Sequence, residues 1–145
     1  MARIFLNRPE KVNALDSRHL DELLSLLGKV SANPDLGAVV LGGRGRAFCG
    51  GADVKELKAL NQSNGDRFVE RIHEVCGAIR KLPVPVVARL HGAVIGAGLE
   101  IAAACALRVP AEGTRFAMPE VPIAIPSVVE AAASYALVAL DNVRL

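Results

Sequence analysis

Aromatic residues make up only 3% of this 145-residue chain, and cysteine is confined to Cys49, Cys76 and Cys105. The scarcity of aromatics, together with a formal charge of +2 spread along the sequence, removes both the stacking platform and the basic stripe of a nucleic-acid binder. No nucleic-acid partner is expected. Three distant thiols without a Cys-x-x-Cys pair argue against a disulfide framework and for reduced, mostly buried cysteines in an intracellular protein. The longest uncharged runs, Leu90 to Leu99 and Ala131 to Leu140, are each about half of what a bilayer crossing needs. A soluble protein with no membrane partner is therefore expected. Met1 to Pro9 has too short an apolar part for a secretory signal. Val143-Arg144-Leu145 resembles a peroxisomal address except that Val143 replaces a small residue. The cytoplasm is the first expectation for the compartment, with peroxisome and mitochondrion left open.

Several catalytic signatures are also missing. There is no Gly-x-Ser-x-Gly elbow. Gly43-Arg44-Gly45 starts like a dinucleotide fingerprint but has Phe48 where the third glycine belongs, which excludes a Rossmann reading. His19, His73 and His91 are isolated and lack zinc spacing, so surface or hydrogen-bonded structural roles are expected and no metal site. Cys49 beside the glycine-rich loop has no evident neighbouring base and reads as a buried packing residue.

What is present is 52% hydrophobic and 22% charged, enough for one domain with a real core over residues 1–145. Arg3 to Asn7 predicts a strand. Asp16 or Ser17 can cap a helix in which Leu20, Leu23, Leu24, Leu27 and Val30 recur at helical spacing. Leu36 to Leu41 reads as a buried strand, Gly42 to Asp53 as a loop, and Phe68 to Ile79 as one face of an amphipathic helix stopped by Leu82-Pro83. Val84 to Leu90 predicts another strand. It is followed by turns at His91-Gly92 and Gly96-Ala97-Gly98, a helix from Gly98 to Leu107, and a strand-like Leu107 to Val109. A last helix is predicted from about Ser127 to Ala139. Alternating helices and strands predict an α/β domain with parallel pairing.

Two glutamates stand in unusually apolar stretches, Glu100 in the helix Gly98 to Leu107 and Glu120 in Phe116-Ala117-Met118-Pro119-Glu120-Val121. Taken alone, Glu100 reads as a first-turn carboxylate complementing the helix dipole, and Glu120 as an exposed loop charge. Two glycine loops, Gly50-Gly51-Ala52 and Gly96-Ala97-Gly98, each precede a predicted helix and can offer backbone N–H groups to negative charge. Two donors and two carboxylates suit proton transfer next to a carbonyl whose oxygen gains charge in the transition state.

Four motifs in order, Asn7 to Leu15, Ala47 to Glu56, Gly92 to Glu100 and Arg115 to Glu120, resemble the enoyl-CoA hydratase/isomerase (crotonase) family. The resemblance implies an α/β crotonase-like (ClpP/crotonase) fold of repeated ββα units, assembled as a homotrimer or a hexamer and binding an acyl-coenzyme A thioester. It implies no separate cofactor, since coenzyme A is part of the substrate. Carried over position by position, Ala52 and Ala97 supply the oxyanion N–H groups and Glu100 and Glu120 form the acid/base pair. Val12, Ala14, Ala52, Asp53, Val54, Lys55 and Ala97 line the substrate path. Both carboxylates favour hydration, since family isomerases commonly keep only the later one. The cluster Arg44, Arg46, Lys55 and Lys58 reads either as an attractor of coenzyme A phosphates or as a solvated basic loop. After Val121 the match weakens, and the family's C-terminal helical region is expected to be missing. That leaves three expectations: a hydratase, an isomerase or another acyl-CoA enzyme of the family, and a shortened, non-catalytic remnant or assembly partner.

Overall fold

The computed structural model describes residues 1–61 and 64–118. Its elements are β1 (Ala2–Leu6), α1 (Ser17–Ser31), β2 (Val39–Gly43), α2 (Val54–Ala59), α3 (Gly65–Arg80), β3 (Val86–Leu90), β4 (Ala93–Ile95), α4 (Ala97–Ala104), β5 (Leu107–Pro110) and β6 (Arg115–Ala117). The Asp16 side chain accepts from the His19 N–H and caps α1, whose Leu20, Leu23, Leu27 and Val30 are buried at the spacing the sequence set. Those side chains meet α3, which buries Phe68, Ile72, Val75, Cys76 and Ile79. Each buried leucine contributes about 1.5–3 kcal/mol relative to an exposed one, so the α1–α3 seam is a principal anchor of the helical layer.

Beneath that layer lies a four-stranded sheet in the order β1-β2-β3-β5, and a second sheet pairs β4 with β6. All pairings are parallel, with Ala2 opposite Val39, Val39 opposite Val86, Val87 opposite Leu107 and Ala93 opposite Arg115. Parallel strands buried on both faces read as short apolar runs, which is why β2 and β3 were visible as Val-rich segments.

Several elements differ from expectation. The strand expected over Leu36 to Leu41 runs from Val39 to Gly43, taking two glycines from the expected loop. Gly43 must be glycine there, since a Cβ would stand 2.4 Å from the carbonyl oxygens of Ala47 and Phe48. The apolar helix spans Ala97–Ala104 rather than Gly98 to Leu107. The strand expected from Val84 starts at Val86. Strands β4 and β6, each of three residues, were not foreseen. Such short strands carry almost no periodic signal, and only their mutual pairing defines them.

Between β3 and β4 the chain leaves one sheet for the other through His91-Gly92. The corner is bonded on both sides: the Phe48 N–H donates to the His91 carbonyl at 2.8 Å and the Arg115 N–H to the Gly92 carbonyl at 2.7 Å. Gly92 has φ +59°, in the left-handed region. The helix expected over Ser127 to Ala139 lies outside the described residues. Among the described residues, no helix is long and apolar enough to cross a membrane.

Candidate active site

Three backbone segments converge. Gly50 donates to the Val12 carbonyl at 2.8 Å, Leu15 to the Gly51 carbonyl at 2.8 Å and Asp53 to the Leu15 carbonyl at 2.7 Å, so the glycine loop runs alongside the 12–15 segment. On its other flank Cys49 bridges to β4, donating to the Ala93 carbonyl at 3.1 Å and accepting from the Ile95 N–H at 3.0 Å. The loop is therefore held from both sides, in the manner of a central strand.

Ala52 sits opposite Leu15, whose bonds go to Gly51 and Asp53. In a parallel ladder this leaves the N–H of Ala52 facing the other way. Ala97 is the first residue of α4, and the N–H groups of a first helical turn lack intrahelical acceptors. Among the described residues, no protein oxygen accepts from the N–H of Ala52 or of Ala97. The two loops touch: a Cβ on Gly51, which has φ +92°, would lie 2.9 Å from the Ile95 oxygen and 3.9 Å from the Ala97 nitrogen. The two loops that carry these donors are thus neighbours.

Glu100 is 3% exposed and stands three residues after Ala97 on α4. Residues three apart share a helix face, and helical side chains lean toward the N-terminus, so Glu100 belongs to the same end of α4 as the Ala97 N–H. Its expected partner Glu120 lies outside the described residues. Val12 and Ala14 are half-buried, alternating with the buried Asn13 and Leu15, while Val54 and Lys55 are exposed.

Asp53, expected on the substrate path, has its carboxylate already engaged. It caps α2 by accepting from the Lys55 N–H at 2.8 Å, and it pairs with the Arg8 guanidinium at 2.6 Å. The Lys55 N–H holds this carboxyl below the usual carboxylate range, against the opposing effect of burial, and Arg8 adds to the lowering. A group with a depressed folded pKa stabilises the fold above its unfolded pKa and loses that contribution as pH falls through the folded value. Asp53→Asn is expected to lower stability at pH 7 by about 1–2 kcal/mol, with the cap itself preserved. It is also expected to flatten the loss of stability below about pH 4, read as urea midpoints against pH. An unchanged acid profile would show that the pair does not couple to folding.

Sequence reasoning assigned no part to Arg8 or Asn13. Besides Asp53, Arg8 reaches the Ala14 carbonyl at 3.2 Å and Asp16 at 3.4 Å. Asn13 is 1% exposed. Its Nδ2 donates to the carbonyls of Arg44, Ala47 and Phe48, and its Oδ1 accepts from the Arg8 N–H at 2.8 Å. A polar side chain between Val12 and Ala14-Leu15 was the available signal. The three carbonyls it binds, more than thirty residues away, were not visible.

Arg44 lies over the Phe5 ring at 4.0 Å, so one member of the expected basic cluster is engaged with the protein itself. His19 and His91 are hydrogen-bonded as expected, to Asp16 at 2.6 Å and to the Gly45 carbonyl at 2.9 Å. Among the described residues, the buried His73 Nε2 and His91 Nδ1 meet no hydrogen-bond partner. Among the described residues no cluster of His, Cys, Asp or Glu could hold a metal ion. A cleft of about 590 Å³ between α1, α2 and α3, lined by Arg8, Asp53, Glu56, Arg67 and Arg71, includes neither Ala97 nor Glu100. Its nearest approach to the donors in sequence is Asp53, which follows Ala52.

The parallel strands and crossing helices that hold the two donor loops together form a crotonase fold. The family model for enoyl-CoA hydratase/isomerase matches residues 1–143, and the chain belongs to that family. It is similar to a short-chain-enoyl-CoA hydratase of Clostridium acetobutylicum, 35% identical over 86% of this chain and 48% of that protein. A peroxisomal Delta(3,5)-Delta(2,4)-dienoyl-CoA isomerase of Arabidopsis thaliana is 31% identical over 84% of this chain and 48% of that protein. The crystal structure of an enoyl-CoA hydratase from Bacillus anthracis superposes with a TM-score of 0.87 at 30% identity, covering 92% of this chain and 52% of that one. The chain spans about half the length of the curated relatives it matches.

Proposed function

We propose that this chain carries the catalytic centre of an enoyl-CoA hydratase. The N–H groups of Ala52 and Ala97 hold the thioester oxygen of an α,β-unsaturated acyl-CoA. Glu100 takes a proton from water as its oxygen bonds to C3, and Glu120 delivers a proton to C2, so that one water is added across the double bond. The negative charge that develops on the thioester oxygen is where the two donors act, each contributing roughly 3 kcal/mol to transition-state stabilisation. Val12, Ala14 and the run from Ala52 to Lys55 line the path of the coenzyme A portion. Val54 and Leu57, 62% and 46% exposed and three apart on α2, leave an apolar strip just beyond Ala52. Trimers or hexamers are the assembly that goes with this reading.

The observation that carries the proposal is the contact of Gly51 with Ile95 and Ala97, which brings the two donor loops together one helical turn from Glu100. The test is hydration of crotonyl-CoA, followed as loss of the conjugated thioester's ultraviolet absorbance. Turnover by the purified chain is the expected result. Absence of both turnover and acyl-CoA binding would defeat the reading in favour of a non-catalytic role. The similarity to a dienoyl-CoA isomerase favours one other reading, double-bond migration at the same centre. Conversion of a 3-enoyl-CoA without hydration would identify it.

A further inference from the structure

We propose that Cys49 is a positioning residue whose thiol sets the spacing between the Ala52 and Ala97 N–H groups, an inference that rests on the hydratase reading for its catalytic consequence. Cys49 is fully buried and is the residue on which all the site's backbone segments meet. Its Sγ donates to the Asn13 carbonyl at 3.3 Å and accepts from the Gly51 N–H at 3.4 Å. Its own backbone is paired with Ala93 and Ile95 of β4. Its side chain is also the seat of α4: a Cβ on Gly98 would come within 2.6 Å of Cys49 Cβ and 2.8 Å of its Sγ. One sulfur therefore touches the segment before the first donor, the residue after the second, and the 12–15 segment beside them.

Burial pushes this thiol up to about 12, so it stays protonated and serves as a donor rather than a nucleophile. The thiol acts first through its two hydrogen bonds, which tie the Gly51 N–H and the Asn13 carbonyl to one atom. The thiol fills the space between the glycine loop and Gly98, and interiors are packed tightly enough that its removal shifts the walls. Serine keeps a donor and acceptor at the same place, whereas alanine keeps neither. A shift of about 1 Å in a reacting geometry can cost on the order of 100-fold in rate.

The test compares Cys49→Ala and Cys49→Ser with the wild-type chain by two readouts. In the ligand-free protein, the nuclear Overhauser contact between Gly51 Hα and the Ala97 amide proton is expected in wild type and Cys49→Ser and weakened or lost in Cys49→Ala. With crotonyl-CoA, kcat of Cys49→Ala is expected to fall about 10- to 100-fold while KM stays within about threefold, with Cys49→Ser near wild type. An unchanged contact in Cys49→Ala overturns the proposal, whatever the activity. A parallel loss in kcat and KM with an intact contact overturns it as well, since that pattern is general damage. If the wild-type chain turns over no enoyl-CoA, the hydratase reading fails, and the ligand-free contact still decides whether Cys49 sets the loop spacing. Should Cys49→Ala not fold, Cys49→Ser alone decides: loss of the contact in a folded Cys49→Ser protein would count against the thiol's replaceable donor and acceptor role.

Discussion

Glu100→Gln is expected to lower turnover of a short enoyl-CoA by about 10²- to 10⁴-fold and to leave the fold in place. Glutamine matches glutamate in size and keeps an amide oxygen to accept a hydrogen bond, so the buried first turn of α4 loses charge without losing shape. What disappears, on the hydratase proposal, is the capacity to take a proton from water as it attacks. The backbone donors at Ala52 and Ala97 are untouched, so binding of the thioester should survive and the loss should fall on kcat rather than KM. Steady-state kinetics with crotonyl-CoA, alongside circular dichroism to establish folding, measures this. A folded variant with wild-type kcat would remove Glu100 from the chemistry and return it to the role of a carboxylate complementing a helix dipole.

Gly92→Ala is expected to cost at least about 3 kcal/mol, among the larger effects of any single methyl in this chain. Two causes add. At φ +59° an alanine pays about 1–2 kcal/mol for the left-handed conformation. The new Cβ would also stand 2.0 Å from the Arg46 carbonyl oxygen, a backbone atom that cannot swing aside. Relief requires moving the segment that continues through Phe48 into the glycine loop. The natural control is Gly28→Ala on the exposed side of α1, where a Cβ meets nothing within 4 Å and alanine should stabilise the helix by about 0.5–1 kcal/mol. Urea denaturation of both variants checks the pair. Equal midpoints would show that the corner between the two sheets yields more readily than its contacts imply.

How far the fold was legible depended on where the signal resided. Helix α1 announced itself through Asp16 and its leucine spacing, and α3 through Phe68, Ile72, Val75 and Ile79, because an amphipathic helix writes its burial into a dozen consecutive residues. Strands β4 and β6 were silent, because a three-residue strand exists only through its partner, here twenty-two positions away. The same division holds at the site. Ala52, Ala97 and Glu100 came from ordered motifs resembling a family, and the structure brings the loops of the first two into contact with Glu100 one turn on. No sequence pattern revealed that Asn13 ties down three carbonyls or that Cys49 underlies Gly98, since both depend on residues brought together only by the folded backbone.

Strand β6 has a consequence for the order in which the site is built. The Gly96 N–H that precedes α4 donates to the Ala117 carbonyl at 2.9 Å, and β4 is flanked by Cys49 on one side and by Arg115–Ala117 on the other. As the chain emerges from the ribosome, α1 can begin to form at once, but the platform under the second donor is paired on the Cys49 side alone until residue 117 is out. With every sheet contact non-local in sequence, closure entropy must be met before pairing repays it. Assembly of the reactive centre is thus a late event in the life of the nascent polypeptide, well after the helical layer has begun to take shape.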